Sequence, residues 1–522
     1  MFAMNPFSHA AWAARMGRRR FLGAAAATVA TLPAARLWAQ AAGAAATPGS
    51  IDAVGGNGRP VTLAAADIRD LRASLRGALM AAQDGGYDQA RRIWNGAFDR
   101  HPALIARCAD TQDVVRAVQF AASHGLLTAV RGGGHSLSGQ SSCDGGLMID
   151  LSPMRDVQID RARRTARAQA GVLLGELDAK SQMAGLITPL GTASDTGIAG
   201  LTLGGGFGRL MRKWGLSCDN LVSCEVVTAN GRVLTASETQ NPDLFWGLRG
   251  GGGNFGIVTA FDYRLHPLAH PVLGGVRLYP FSQARAVFDA LIELGAKLPD
   301  EMSLSGGVTT VPPGTPIPPG RYVAVEAVYC DEPAAGEKLL RPLDRLGRPL
   351  FDNLVAKPYV DAQNGANPGT PPPLPPGLGV YIKSGFLGDV PANLVGDIIH
   401  AFESGPEWLS DVGLGLLGGA SARVKPDATA YWNRGARWDL LMDGVWTDHT
   451  QDARNVAVLR DLWKLFEPLT RGYYINTEPS AEVQRLQETY GANYRRLVQL
   501  KDKYDPGNLF RLNANIAPSR AA

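Results

Sequence analysis

The stretch VRGGGHSLSGQ, residues 130–140, decides how the chain is read. It follows an apolar run and places Gly132, Gly133, Gly134, His135 and Ser136 in succession. Consecutive glycines let a backbone approach a large ligand closely and leave amide groups free to bind phosphate oxygens. The loop therefore has the composition of a polyanion cradle. A lone histidine in a loop is more often a surface or hydrogen-bonding residue, but a neutral imidazole beside such a cradle is also a competent nucleophile.

Two more glycine clusters follow, PLGTASDTGIAGLTLGGGFGRLMRKWGLSCDNL at 189–221 and LRGGGGNFGIVTAFDYRLHPL at 248–268. No GK[ST] follows the glycines, so neither is a P-loop, and GGGFG is not the dinucleotide fingerprint of a Rossmann sheet. Tight turns would use the same residues. Around the clusters the pattern is mixed. CADTQDVVRAVQFAASHG predicts a helix capped by Asp110 or Thr111, with apolar residues at 114, 115, 118 and 122 and Gly125 closing it. LLTAV, LMIDLS, VQID and ARAQA read as strands, and VLLGELDAKSQMAGL as a helix. Asn230-Gly231 predicts a hairpin with a type I′ turn. Regular βαβ alternation is missing, which argues for α+β.

With 522 residues, 45% of them hydrophobic, the chain can bury more than one core, and two domains are expected. A formal charge of +4 without a long basic block in the body excludes nucleic acid as a partner. The segment MGRRRFLGAAAATVATLPAARLWAQAAGA reads as an address: Arg18 and Arg19 before Phe21 and Leu22 match the twin-arginine pattern, with a cleavage signature at Ala39-Gln40-Ala41. A Sec signal or a membrane anchor is the alternative. Pro33 and Arg36 interrupt a run already short of the ~20 residues of a span, so no stable membrane span is expected. Export to the periplasm or medium by the twin-arginine machinery is the reading. Five scattered cysteines are too few for a disulfide framework or zinc site and are expected to be buried and structural, with at least one unpaired. No metal site is expected.

RGGGHS, GLMIDLSPMRDVQID, GTASDTGIAGLTLGGGFGRLMRKWGLSCDNL, LRGGGGNFGIVT and YDPGNLFRLNANIAP occur in the order found in the berberine-bridge-enzyme-like flavoproteins, which the chain resembles from about residue 90 to 518. That family has the FAD fold of vanillyl-alcohol oxidase and p-cresol methylhydroxylase. The resemblance implies an α+β chain: a two-subdomain FAD-binding domain of p-cresol-methylhydroxylase (PCMH) type, and an antiparallel-sheet substrate domain covered by helices. The implied boundaries are a signal at 1–41, a lead-in at 42–85, the FAD domain at 86–270, the substrate domain at 271–470, and a return to the FAD domain at 471–522. It also implies that Arg131, Gly132, Gly133, Gly134 and Ser136 line the FAD phosphates, and that His135 bonds covalently to the flavin 8α-methyl. Gly191, Thr192, Asp195, Gly197, Ile198 and Gly200, with Ile257 and Asn476, are implied around the same cofactor, and Asn513 and Asn515 near the isoalloxazine. Some relatives add a cysteinyl bond to flavin C6. Ala193 stands at that cysteine's place and Cys218 lies well downstream, so one covalent link is expected.

Between 271 and 470 the segments VLGGVRLYPF, RYVAVEAVYCD and VGLGLLGGASARV read as strands, and SQARAVFDALIELGAKL and NVAVLRDLWKLFEPL as helices. GANPGTPPPLPPG reads as a rigid surface loop. The resemblance further implies oxidation of a small alcohol, sugar or phenolic by hydride transfer to flavin N5, with O2 as acceptor. A dehydrogenase passing electrons to a quinone or cytochrome is the alternative, and a carbohydrate-binding protein on the same fold a third reading. The base is commonly a tyrosine near a YxNY-like motif. Here GYYINTEPS matches at Tyr474 and Asn476 but has Thr477 in place of the second tyrosine. Tyr474 is the first candidate, with Tyr431 and Asp439 behind it.

Overall fold

The structure is a computed structural model and describes residues 49–313, 317–364, 376–477 and 482–520. The address segment and most of the proline-rich loop lie outside the described residues. Two large hydrophobic cores divide the rest: one gathers residues 53–265 with 430 and 473–516, the other residues 273–466.

The first core is built on two sheets. A four-stranded sheet runs Ala78–Met80, Leu104–Arg107, Leu147–Asp150, Thr128–Arg131, with the last three strands parallel. The expected helix after Cys108 is Thr111–Ser123; the Asp110 carboxylate accepts the Asp113 N–H at 3.0 Å and satisfies a first-turn donor. Val114, Ala117, Val118 and Ala121 make its buried stripe, and Gly125 follows at φ +60°. A five-stranded antiparallel sheet runs Val233–Ser237, Leu221–Val227, Ile257–Arg264, Thr165–Gln169, Val157–Asp160. Its hairpin at Asn230-Gly231 forms as expected, but only Gly231 has positive φ, +75°. A type I′ turn needs positive φ at both residues. Asn230 is held instead by its side chain, whose Oδ1 accepts from Thr228 Oγ1 at 2.6 Å and Arg232 N at 3.3 Å.

Residues 51–80 are more than a lead-in. Leu63, Ile68, Leu71 and Leu79 are buried in the first core, and Ala78–Met80 is a strand of its sheet. At the other end, Leu497, Leu500, Tyr504, Phe510 and Ile516 pack into the same core.

The second core lies under an eight-stranded sheet whose main path is Phe351–Asp352, Val272–Pro280, Gly320–Tyr329, Met302–Val311, Leu409–Leu416, Trp438–Trp446, Gly379–Leu387. Val355–Lys357 also pairs with Val272–Pro280, and every pairing is antiparallel. Helices Ala284–Gly295, Leu394–Ser404 and Asp452–Trp463 cover one face with Val287, Phe288, Leu291, Ile398, Phe402 and Leu459. Strand side chains alternate between faces. Trp438, Leu440, Met442 and Trp446 meet those helices, and Leu441 and Val445 point the other way, packing with Trp94 and Leu137 in a separate small cluster between the sheet and the N-terminal half. The sheet is therefore a roof over the FAD-type core. Asn95 fastens the two: its Nδ2 donates to the Leu137 and Val380 carbonyls at 2.7 and 2.8 Å, and its Oδ1 accepts from Val380 N at 3.1 Å.

Candidate active site

The three glycine clusters and the C-terminal LNANI converge on one cleft. Gly132, Gly133, Gly134, His135, Ser136, Gly197, Gly200, Ile257, Asn476 and Asn513 line it, with Gly252, Gly253 and Gly256 of the third cluster. The first two clusters touch through glycine alone: a Cβ on Gly133 would lie 2.5 Å from Gly197 N and Cα. Gly200 and Gly253 behave differently, since a Cβ on either meets nothing within 4 Å. These two leave the cleft open where a side chain would narrow it.

Other expected residues stand one layer back. The Arg131 guanidinium does not line the cleft; it donates to the Ala90 carbonyl and lies 3.9 Å from Asp150. Gly191 and Ile198 are packed in the core beside Leu201 and Leu174. The Thr192 carbonyl accepts from Arg209 at 2.8 Å. Asp195 is reached from the cleft through His135, whose Nε2 lies 3.5 Å from Asp195 Oδ1. Trp94 joins them: its ring stacks on the imidazole at 4.2 Å, and its indole N–H donates to Asp195 Oδ2 at 3.1 Å. Burial alone would raise the Asp195 carboxyl, but His135, Trp94 and a backbone N–H hold it below the usual carboxylate range.

Two buried polar atoms of residues lining the cleft have no hydrogen-bond partner in the protein, Ser141 Oγ and Asn513 Oδ1, whereas Asn515 does not line it. Orphaned buried polar groups cost free energy unless a ligand or water satisfies them. An elongated cleft with glycine walls and unsatisfied polar atoms suits FAD. Within reach of such a ligand, His135 supplies a nucleophilic nitrogen, the glycine loops supply amide donors, and Asn513 supplies an acceptor.

The three candidate catalytic side chains come together under the roof. Tyr474 stacks on Phe207 at 4.1 Å, and Tyr431 meets the same ring edge-on at 5.8 Å. Asp439 pairs across the sheet with Phe386, whose ring is 6.4 Å from Tyr431. The Tyr474 oxygen accepts from Gly206 N at 3.1 Å, Phe207 N at 3.2 Å and Asn476 Nδ2 at 2.8 Å. Burial nevertheless raises the Tyr474 and Tyr431 hydroxyls above the ordinary tyrosine value. Asp439 is buried at a small cavity lined by Thr192, Ser303, Ser305, Arg209 and Glu326 together with apolar Met211, Leu304, Val328, Leu416 and Leu417, and burial pushes its carboxyl up to about 6. Arg209 is committed to Glu326 at 2.6 Å.

Trp94 and Ser141 belong to this site but carry no motif. RRIWNGAFDR has no spacing that announces Trp94, and only folding brings it to His135. All five cysteines are buried and unpaired, and Cys218 packs with Phe207, Tyr431 and Tyr474. Among the described residues there is no cluster suited to a metal ion and no helix long and apolar enough to cross a membrane.

Residues 102–237 match the FAD binding domain family, and residues 473–517 match the family described as berberine and berberine like. An uncharacterised FAD-linked oxidoreductase of Bacillus subtilis is 30% identical over 86% of this chain and 98% of its own. The (R)-6-hydroxynicotine oxidase of Paenarthrobacter nicotinovorans is 30% identical over 85% of this chain and 97% of its own. The solved structure of xylooligosaccharide oxidase from Myceliophthora thermophila C1, in complex with xylobiose, covers 87% of this chain and 100% of its own at 25% identity with a TM-score of 0.77.

Proposed function

The chain belongs to the berberine-like FAD-linked oxidoreductases, and from that premise we propose that it is an exported oxidase, covalently flavinylated through His135, that oxidises a small alcohol, sugar or phenolic with O2 as acceptor. The observation that carries this reading is His135 itself, set in the glycine cradle that lines the cleft. When bound, FAD supplies the hydride acceptor. The chain's own residues do the rest. The loops of Gly132–Gly134 and Gly197 would hold the pyrophosphate through their backbone, and Asn476 and Asn513 line the cleft.

Proton removal falls to Asp439. Burial raises its carboxyl to about 6, close to the pKa that best serves a general base. Tyr474 and Tyr431 are held protonated by burial and serve to position the substrate. Support for a hydroxylated or heterocyclic substrate comes from the relatives' named substrates, xylobiose and 6-hydroxynicotine. A quinone- or cytochrome-linked dehydrogenase is separated by the oxygen reactivity of the reduced enzyme.

The test is direct. Purified protein should be yellow and keep its flavin in the pellet after acid precipitation, and His135→Ala should release it to the supernatant. Flavin that stays in the His135→Ala pellet would remove the attachment assignment. A panel of sugars, alcohols and phenols, read by anaerobic flavin bleaching, identifies the substrate.

A further inference from the structure

We propose that Asp195 and Trp94 are positioning residues for cofactor attachment, which hold the His135 imidazole with its proton on Nε2 and its lone pair on Nδ1. The inference rests on the covalent reading above and adds to it which residues prepare the histidine.

The geometry carries the assignment. Nε2 of His135 is sealed from solvent and faces Asp195 Oδ1 at 3.5 Å. The Asp195 carboxylate has only acceptor atoms, so a lone pair on Nε2 would be repelled and an N–H attracted. The proton therefore sits on Nε2, and the lone pair sits on Nδ1. In a histidine, the partner of one nitrogen fixes the chemistry of the other. The carboxylate is itself held by the Trp94 indole N–H at 3.1 Å on its second oxygen. The indole also closes one face of the imidazole, stacked at 4.2 Å with 23° between the planes. Trp94 N donates to the Gly134 carbonyl at 2.9 Å, which ties the tryptophan to the residue before His135. The imidazole is thus fixed in plane, tautomer and direction by two residues that do not line the loop's motif.

The same carboxylate serves after bond formation. Alkylation at Nδ1 makes the ring cationic while Nε2 keeps its proton, and Asp195 lies against that charge and can accept the proton. The balance is as follows: one methyl C–H and one imidazole N–H are lost and one N–C bond forms. Two protons leave and two electrons enter the isoalloxazine. Dioxygen, the oxidant required, takes both and becomes hydrogen peroxide.

The experiment uses the full chain produced without flavin and mixed with FAD in air, with attached flavin read in acid-precipitated pellets over time. Non-covalent FAD binding, followed by quenching of flavin fluorescence, reports whether each variant is folded. Asp195→Asn is expected to bind FAD but attach it ~10² to 10⁴ more slowly, the size of effect seen when a histidine loses its orienting carboxylate. Asp195→Glu should recover part of the rate. Trp94→Phe, which keeps a stacked ring but deletes the indole donor, should slow attachment by about tenfold. Proteolysis of the wild type should yield a flavin peptide bonded through Nδ1. Attachment in Asp195→Asn at the wild-type rate, or a bond through Nε2, would overturn the proposal while leaving the covalent reading intact. Complete release of flavin from wild-type protein by acid would instead overturn the covalent reading, and this proposal with it.

Discussion

At the scale of single residues, Tyr474 and Asp439 differ in what surrounds them. Three donors converge on the Tyr474 oxygen, more than the two lone pairs of a phenol can serve well. Tyr474→Phe would leave the Gly206 and Phe207 N–H groups and the Asn476 amide without that acceptor, at ~1–3 kcal/mol for each group left unsatisfied. A lower denaturation midpoint is therefore expected even though the ring and its stack on Phe207 are kept. Asp439→Asn is close to isosteric and removes only the charge. Anaerobic flavin reduction by substrate should fall by ~10² to 10⁴. In the wild type that rate should rise as pH passes through about 6, where the carboxyl ionises, and the variant should lack this limb. Stability has the opposite sign. The folded carboxyl is raised above its unfolded value of ~3.9, so its contribution is present below that value and lost as pH rises through about 6. Wild-type reduction rates in Asp439→Asn would assign the base elsewhere, with Tyr431 next to be tested.

At the scale of elements, glycine has two distinct uses in this chain. Gly133 and Gly197 allow two loops to touch, while Gly200, in helix Ile198–Leu203, keeps a wall of the cleft bare. Substitution by alanine separates the two. Gly133→Ala pushes a Cβ into the Gly197 backbone, and overpacking of this kind costs ~1–3 kcal/mol, so melting temperature and FAD binding should fall together. Gly200→Ala meets nothing in the protein and replaces a helical glycine, a change worth ~0.5–1 kcal/mol in the protein's favour. It should melt no lower than wild type yet bind FAD more weakly. Paired melting curves and FAD titrations check both. Undiminished affinity in Gly200→Ala would show that this helix does not face the cofactor.

At the scale of the whole molecule, the roof sheet and the FAD-type core are joined by buried polar clamps. Arg434 forms a two-pronged pair with Asp219 at 2.7 Å on each prong, Arg209 pairs with Glu326, and Asn95 bridges to Val380. Such pairs bring little net stability but are costly to break, which favours one seating of the roof over others. We further propose that export follows the twin-arginine route read from Arg18 and Arg19, a route that carries folded cargo. Replacing Arg18 and Arg19 by lysine should leave folded, yellow precursor in the cytoplasm, seen by fractionation and flavin absorbance. Normal export of the double variant would point to a Sec signal.

Much of this was legible in the sequence because the signals are local. Glycine runs, the Asp110 cap, the Asn230-Gly231 hairpin and the ordered family motifs depend on neighbours a few residues away, and they pointed to the α+β architecture and to the FAD cleft around His135. What depended on distant parts of the chain was decided only by folding. Trp94 and Asp195 meet His135 from positions 41 residues before and 60 residues after it, the loop arginine Arg131 turns to Ala90 and Asp150 instead of the cleft, and residues 51–80 complete a sheet. Burial was equally out of reach. Asp439 and Tyr474 are ordinary side chains in a string of letters, and it is burial in the packed interior that raises one to about 6 and the glycine-cluster backbone with Asn476 that surrounds the other with three donors. Desolvation and long-range contact are properties of the assembled interior, and no window of sequence contains them.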